Sequence, residues 1–133
     1  MKNKDHMNDS LITRLIQAMR ESDDLRKPKY QGNRNIMAGH CYVASEVLYH
    51  HFKGRGHAVK AMHVRHEGES HWFLLLNGMV LDVTAGQFKE SMRCGVYIPY
   101  WKGRGKGLLT ALPSKRAVEM ARRANINLHT GEG

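Results

Sequence analysis

Cys41, His71 and Asp82 place a thiol, an imidazole and a carboxylate in that chain order. Brought together, they would make a nucleophile. The imidazole takes the thiol proton and later returns it to a leaving group, while the carboxylate fixes the imidazole tautomer and steadies the imidazolium. The chemistry this suits is attack on a carbonyl carbon through an acyl-thiol intermediate. Each residue alone also has an ordinary reading. A lone cysteine is most often a small buried hydrophobe, a histidine at a strand start is often just part-buried, and an aspartate at a strand end often caps a turn. Position decides between the two readings.

Two elements must do the positioning. The spacing of Cys41, Ala44, Leu48 and Phe52 predicts a helix over 41–53, stopped by Gly54 and Gly56,. That puts Cys41 in the first turn, where free N–H groups favour a thiolate and can also hold an oxyanion. Downstream, Asn77-Gly78 sits between two apolar runs and predicts a two-residue hairpin turn, which needs positive φ at both positions,. Leu76 then pairs with Met79, Leu75 with Val80, Phe73 with Asp82 and His71 with Thr84. In this register His71 and Asp82 share one face as diagonal neighbours, within reach of a carboxylate–imidazole hydrogen bond. A slip of one residue would separate them. The other face (Trp72, Leu74, Leu76, Met79, Leu81, Val83) is apolar, which predicts a central hairpin buried on both sides,.

The remaining chain reads as follows. A helix is predicted over 9–21 with Asp9 or Ser10 as its N-cap, then a loop over 22–38 broken by Pro28 and Gly32,. Strands are predicted near 57–66, 70–76, 79–84, 94–99 and 107–112. Ser114 caps a last helix running to about Asn125. The 133 residues make one domain of class α+β,. Within it, 1–38 form an N-terminal helix and loop, 39–112 the catalytic helix and sheet, and 113–125 the C-terminal helix.

Composition narrows the function classes. The net charge is +9, and residues 101–133 hold seven Lys or Arg against Glu119 and Glu132. This balance suits an acidic partner, either a protein or a nucleic acid, held through Lys102, Arg104, Lys106, Arg122 and Arg123. Gly103-Arg104-Gly105-Lys106-Gly107 lacks the Gly-Lys-Ser/Thr ending of a phosphate-binding loop and reads as a solvated rim,. Nine histidines invite a metal, but His63 and His66 have opposite strand parity and neither Cys-x-x-Cys nor His-Glu-x-x-His occurs,. No metal and no cofactor is expected. No apolar run reaches membrane-spanning length, no secretory leader is recognisable, and two cysteines suit a reducing cytoplasm,.

Gly-His-Cys-Tyr-Val-Ala-Ser-Glu at 39–46, Ser-His-Trp-Phe at 70–73, Leu-Asp-Val-Thr-Ala-Gly-Gln-Phe at 81–88 and Pro-Ser-Lys-Arg-Ala at 113–117 resemble small bacterial and phage proteins of the YunG-like type. More distantly, the layout is similar to the papain-like superfamily, which includes NlpC/P60 peptidases and transglutaminase-like proteins. The resemblance implies a papain-like fold with a cysteine hydrolase or amidotransferase acting on an amide or isopeptide bond. Cys41 would be nucleophile, His71 base and Asp82 the orienting residue. The papain-type oxyanion glutamine shortly before the cysteine is absent; Asn35 and Gln31 are the candidates nearest that offset. Tyr42, Trp72, Gln87 and Trp101 are candidates for lining a substrate groove. The rival expectation is a non-catalytic basic binding module on a degenerate papain-like fold, such as a phage protein that antagonises a host factor.

Overall fold

The computed structural model describes residues 3–88 and 97–128, without the side chains of residues 3–9. Among the described residues, the regular structure comprises three α-helices, several short 3-10 turns and a four-stranded antiparallel sheet: α1 (Asn3–Arg20), α2 (Cys41–Gly54), β1 (Val59–His66), β2 (Glu69–Leu76), β3 (Met79–Leu81), β4 (Arg104–Gly105) and α3 (Lys115–Ala124). The class is α+β, as the alternation of periods predicts. The order β3-β2-β1-β4 places β2 and β1 in the middle.

The hairpin forms in the expected register. Asn77 and Gly78 take φ of 52° and 85°, and Leu76 pairs with Met79, Leu75 with Val80 and Leu74 with Leu81. There the ladder stops. The Thr84 N–H turns back to donate to Asp82 Oδ1 (3.2 Å), so the pairings expected for Phe73–Asp82 and His71–Thr84 give way to a side-chain-capped turn,. The expectation of a hairpin buried on both sides is also corrected. β3 is an edge strand, and Met79 and Val80 are 73% and 46% exposed.

Each face of the sheet carries its own apolar cluster. Ala61, Trp72 and Leu74 point to the larger one, packed under the three helices with Leu15, Val47, Leu48, Phe52 and Met120. Val64 and Phe73 point the other way and meet Phe88 and Ile98. Full burial of side chains such as Phe52 or Leu15 is worth about 1.5–3 kcal/mol each,.

Other boundaries shift for local reasons. α1 starts upstream of its expected cap, so Ser10 lies inside the helix, where its hydroxyl accepts from Arg14 (2.7 Å). The expected strand at 107–112 does not form. The Leu109 N–H donates to the Tyr42 hydroxyl (2.8 Å) instead of a ladder, and Leu109 and Leu112 are exposed. Its place beside β1 is taken by β4, paired as Met62–Gly105 and His63–Arg104. Of the strand expected at 94–99, residues 94–96 lie outside the described residues and 97–99 are not strand. The last helix follows the expected cap. The Ser114 side chain accepts from the Ala117 N–H, and its own N–H and hydroxyl donate to buried Glu46 of α2 (2.6 and 2.8 Å).

Candidate active site

The loop before α2 is irregular in backbone but fixed by one side chain. Arg26 is buried, and its guanidinium donates to the carbonyls of Asn33, Asn35 and Ala38 (each 2.9 Å) and to Asp23 Oδ1 (2.8 Å). A chain with few backbone partners of its own thereby satisfies its carbonyls. Gly39 completes the approach. Its φ is +84°, and an added Cβ would lie 2.5 Å from the Tyr30 ring, so only glycine lets Tyr30 sit against the start of α2,. His40 follows as N-cap without a side-chain capping bond, and Cys41 is the first helical residue. Among the described residues, no group accepts the N–H of Cys41 or Tyr42.

Cys41 meets the start of β2, where its Sγ lies 3.8 Å from the Ser70 carbonyl oxygen. The next residue of β2, His71, is fully buried. Its Nε2 is 2.6 Å from Asp82 Oδ2, with Nε2–H the donor in that pairing. Its other nitrogen, Nδ1, is buried and makes no hydrogen bond to a described group. The rings of Phe73 and Phe88 flank the imidazole, stacked and edge-on. Burial pulls the His71 pKa down, but the hydrogen bond it donates to Asp82 and the nearby Cys41 side chain outweigh it and carry the imidazole up to about 9,. That direction favours the protonated imidazole.

Asp82 is held from three sides. Besides His71 and the Thr84 N–H, the Tyr100 hydroxyl donates to Oδ2 at 2.7 Å. Tyr100 stays protonated as that donor, because burial and then the Asp82 carboxylate raise its pKa. The chain can bring Tyr100 there because Gly103 has no side chain. A Cβ at 103 would meet the Phe73 ring at 2.8 Å, while Tyr100 packs edge-on against the same ring at 4.9 Å between centroids. Tyr100→Phe is expected to cost about 1–2 kcal/mol, one buried charge-assisted hydrogen bond, in urea unfolding at pH 7,. Nothing in the sequence around Tyr100 points to this role.

Beside the thiol lies a cavity of about 490 Å³. Cys41, Tyr42, Trp72 and Gln87 line it, with Tyr42 and Trp72 packed edge to face at 4.9 Å. The Gln87 amide oxygen is buried without a hydrogen bond to a described group. Trp101 is 78% exposed and does not line the cavity. Neither do the two residues proposed for the oxyanion. Asn35 donates its amide to the Gly86 carbonyl (3.2 Å), which ties down the turn bearing Gln87, and the Gln31 amide donates to the Arg26 carbonyl (2.8 Å). Arg122 and Arg123 pair with Glu119, and Arg123 also with Asp24; Lys102, Arg104 and Lys106 are exposed. Among the described residues no group of three or more His, Cys, Asp or Glu side chains is arranged to hold a metal ion, and no helix is long and apolar enough to cross a membrane.

A family model described as YunG protein matches residues 11–105, which span both arms of this site. The chain belongs to the YunG family. The match takes in α1 from Leu11 onward, α2 and the whole sheet, with Cys41, His71, Asp82 and Tyr100. It stops short of α3. No curated protein and no solved structure matches the chain.

Proposed function

We propose that this YunG protein is a cysteine hydrolase or amidotransferase that attacks an amide or isopeptide bond, on a papain-like arrangement of helix and sheet. One observation carries this reading: a buried His71 pairs with Asp82 at 2.6 Å and, among the described residues, keeps Nδ1 free, with the Cys41 side chain near enough to raise its pKa and the thiol lining a cavity. Cys41 attacks the carbonyl as thiolate. His71, as imidazolium, gives its proton to the leaving amine and then serves as base for the water or amine that resolves the acyl-enzyme. Asp82 keeps Nε2–H as the proton shared with the carboxylate, leaving Nδ1 to work with the thiol,. The Cys41 N–H and the Gln87 amide are the donors placed to receive the oxyanion, a role for which Asn35 and Gln31 are engaged elsewhere,.

The binding-module alternative has weaker support. Two of its five cations, Arg122 and Arg123, are already paired with carboxylates.

A small activated ester tests the reading without knowledge of the natural substrate. With p-nitrophenyl acetate the expected result is a burst of nitrophenolate, an acetyl group on the Cys41 peptide by mass spectrometry, and slow turnover. Both acetylation and turnover should vanish in Cys41→Ala and fall sharply in His71→Ala. Acetylation confined to other residues would overturn the assignment.

A further inference from the structure

The cavity beside Cys41 has a charge pattern that the reaction itself does not require. Lys27, from the loop before α2, and Lys115 and Arg116, from the first turn of α3, all line it. Among the described residues none of the three is paired with a carboxylate, whereas Arg26, Arg122 and Arg123 all are. Among the described residues no Asp or Glu lines the cavity. The start of α3 does not explain the cluster. Its capping Ser114 is already satisfied by Glu46, so the positive charge at the cavity comes from side chains. The walls between thiol and cations are aromatic: Tyr30, Tyr42 and Trp72.

Unpaired cations above an apolar, partly enclosed wall are an arrangement for an anion, because the wall focuses the field into the cavity. We propose that the amide attacked by Cys41 belongs to an acidic substrate, with a carboxylate close to the scissile carbonyl held by Lys27, Lys115 and Arg116. This rests on the cysteine hydrolase or amidotransferase reading. For amide and isopeptide substrates, a side-chain or terminal carboxylate is the anion such a molecule carries. The same cations attract the substrate before contact and disfavour basic competitors.

Two alkylating agents of nearly the same size separate this claim from the reading beneath it. Iodoacetate carries a carboxylate and iodoacetamide does not, and either labels Cys41 by losing iodide to the thiolate. The readout is the ratio of their rates at the Cys41 peptide at pH 7 and low salt, so that changes in thiol reactivity cancel within each variant. The expected ratio is about tenfold above that for a small neutral thiol, at the low end of the enhancement a charged cleft gives. It should fall about fivefold in the triple variant Lys27→Gln, Lys115→Gln, Arg116→Gln, and also in 0.5 M salt through screening, roughly to a Debye length below 5 Å. Lys27 and Lys115 are exposed, so the double variant without Arg116 gives a partial fall even where the triple variant does not fold. A ratio like that of a free thiol would overturn the acidic-substrate assignment, as would a raised ratio unchanged in these variants, which would place the attraction on the imidazolium alone. Labelling by iodoacetamide that ignores His71→Ala would instead remove the catalytic reading itself.

Discussion

His71→Ala is expected to slow iodoacetamide labelling of Cys41 at pH 7 by about thirtyfold. An ordinary thiol, with a pKa near 8.5, is only about 3% thiolate at that pH, so full pairing with an imidazolium can raise the reactive fraction by about that factor. The profile is as informative as the rate. Between pH 6 and pH 8 an ordinary thiol gains roughly 75-fold in thiolate, and labelling that depends on the charged His71 imidazole departs from that curve,. Asp82→Asn should fall between the two, since the buried imidazole keeps a partner but loses the charge that favours its protonated form,. Labelling of Cys41 peptides followed by mass spectrometry measures all three. An unpaired thiol's profile in the unmodified protein would mean that Cys41 and His71 do not form an ion pair.

The second large effect is on stability. Asp82→Ala should cost about 3–5 kcal/mol in urea unfolding at pH 7, because it strands a fully buried imidazolium and leaves the Tyr100 hydroxyl without an acceptor,. The pH dependence carries its own sign. The folded pKa of His71, about 9, lies above the unfolded value near 6.5. The stability it contributes is therefore full below pH 6.5 and is lost as the pH rises through 9. His40 works the other way. Burial first, then the Arg26 guanidinium, press it down to about 4, so folding favours its neutral form and stability is lost as the pH falls from 6.5 toward 4,. Together the two histidines place the crest of stability near pH 6.5. In Asp82→Ala the loss on the alkaline side should disappear while the loss on the acid side remains. Urea titrations from pH 4 to 10 check both limbs, and an unchanged alkaline limb would show that Asp82 does not set the charge state of His71.

What could be read in the sequence was whatever a short stretch decides for itself. Asn77-Gly78 set the hairpin register, and the register set the shared face of His71 and Asp82. The apolar spacing of 41–52 set the helix, and Ser114 set the start of another. Strand alternation could not say that β3 lies at an edge, because the neighbours of a strand are chosen by distant segments. Tyr100 was invisible for the same reason: its link to Asp82 depends on a glycine three residues on letting the chain lie against Phe73. Counting back from Cys41 to Asn35 or Gln31 also failed to reach the cavity, because the path of that loop is dictated by Arg26 and not by residue number.

The stitching of the two chain ends bears on how the protein is made. Arg123 of α3 donates to Ser22 and Asp24, and Arg14 of α1 donates to the Ala124 carbonyl, across about a hundred positions of sequence. α3 also supplies Lys115 and Arg116 to the cavity and takes its cap from Glu46, five residues after Cys41. On the ribosome, Cys41 emerges long before any of these contacts can form. The nascent chain therefore carries its thiol before the cavity beside it is walled, which waits on the release of α3.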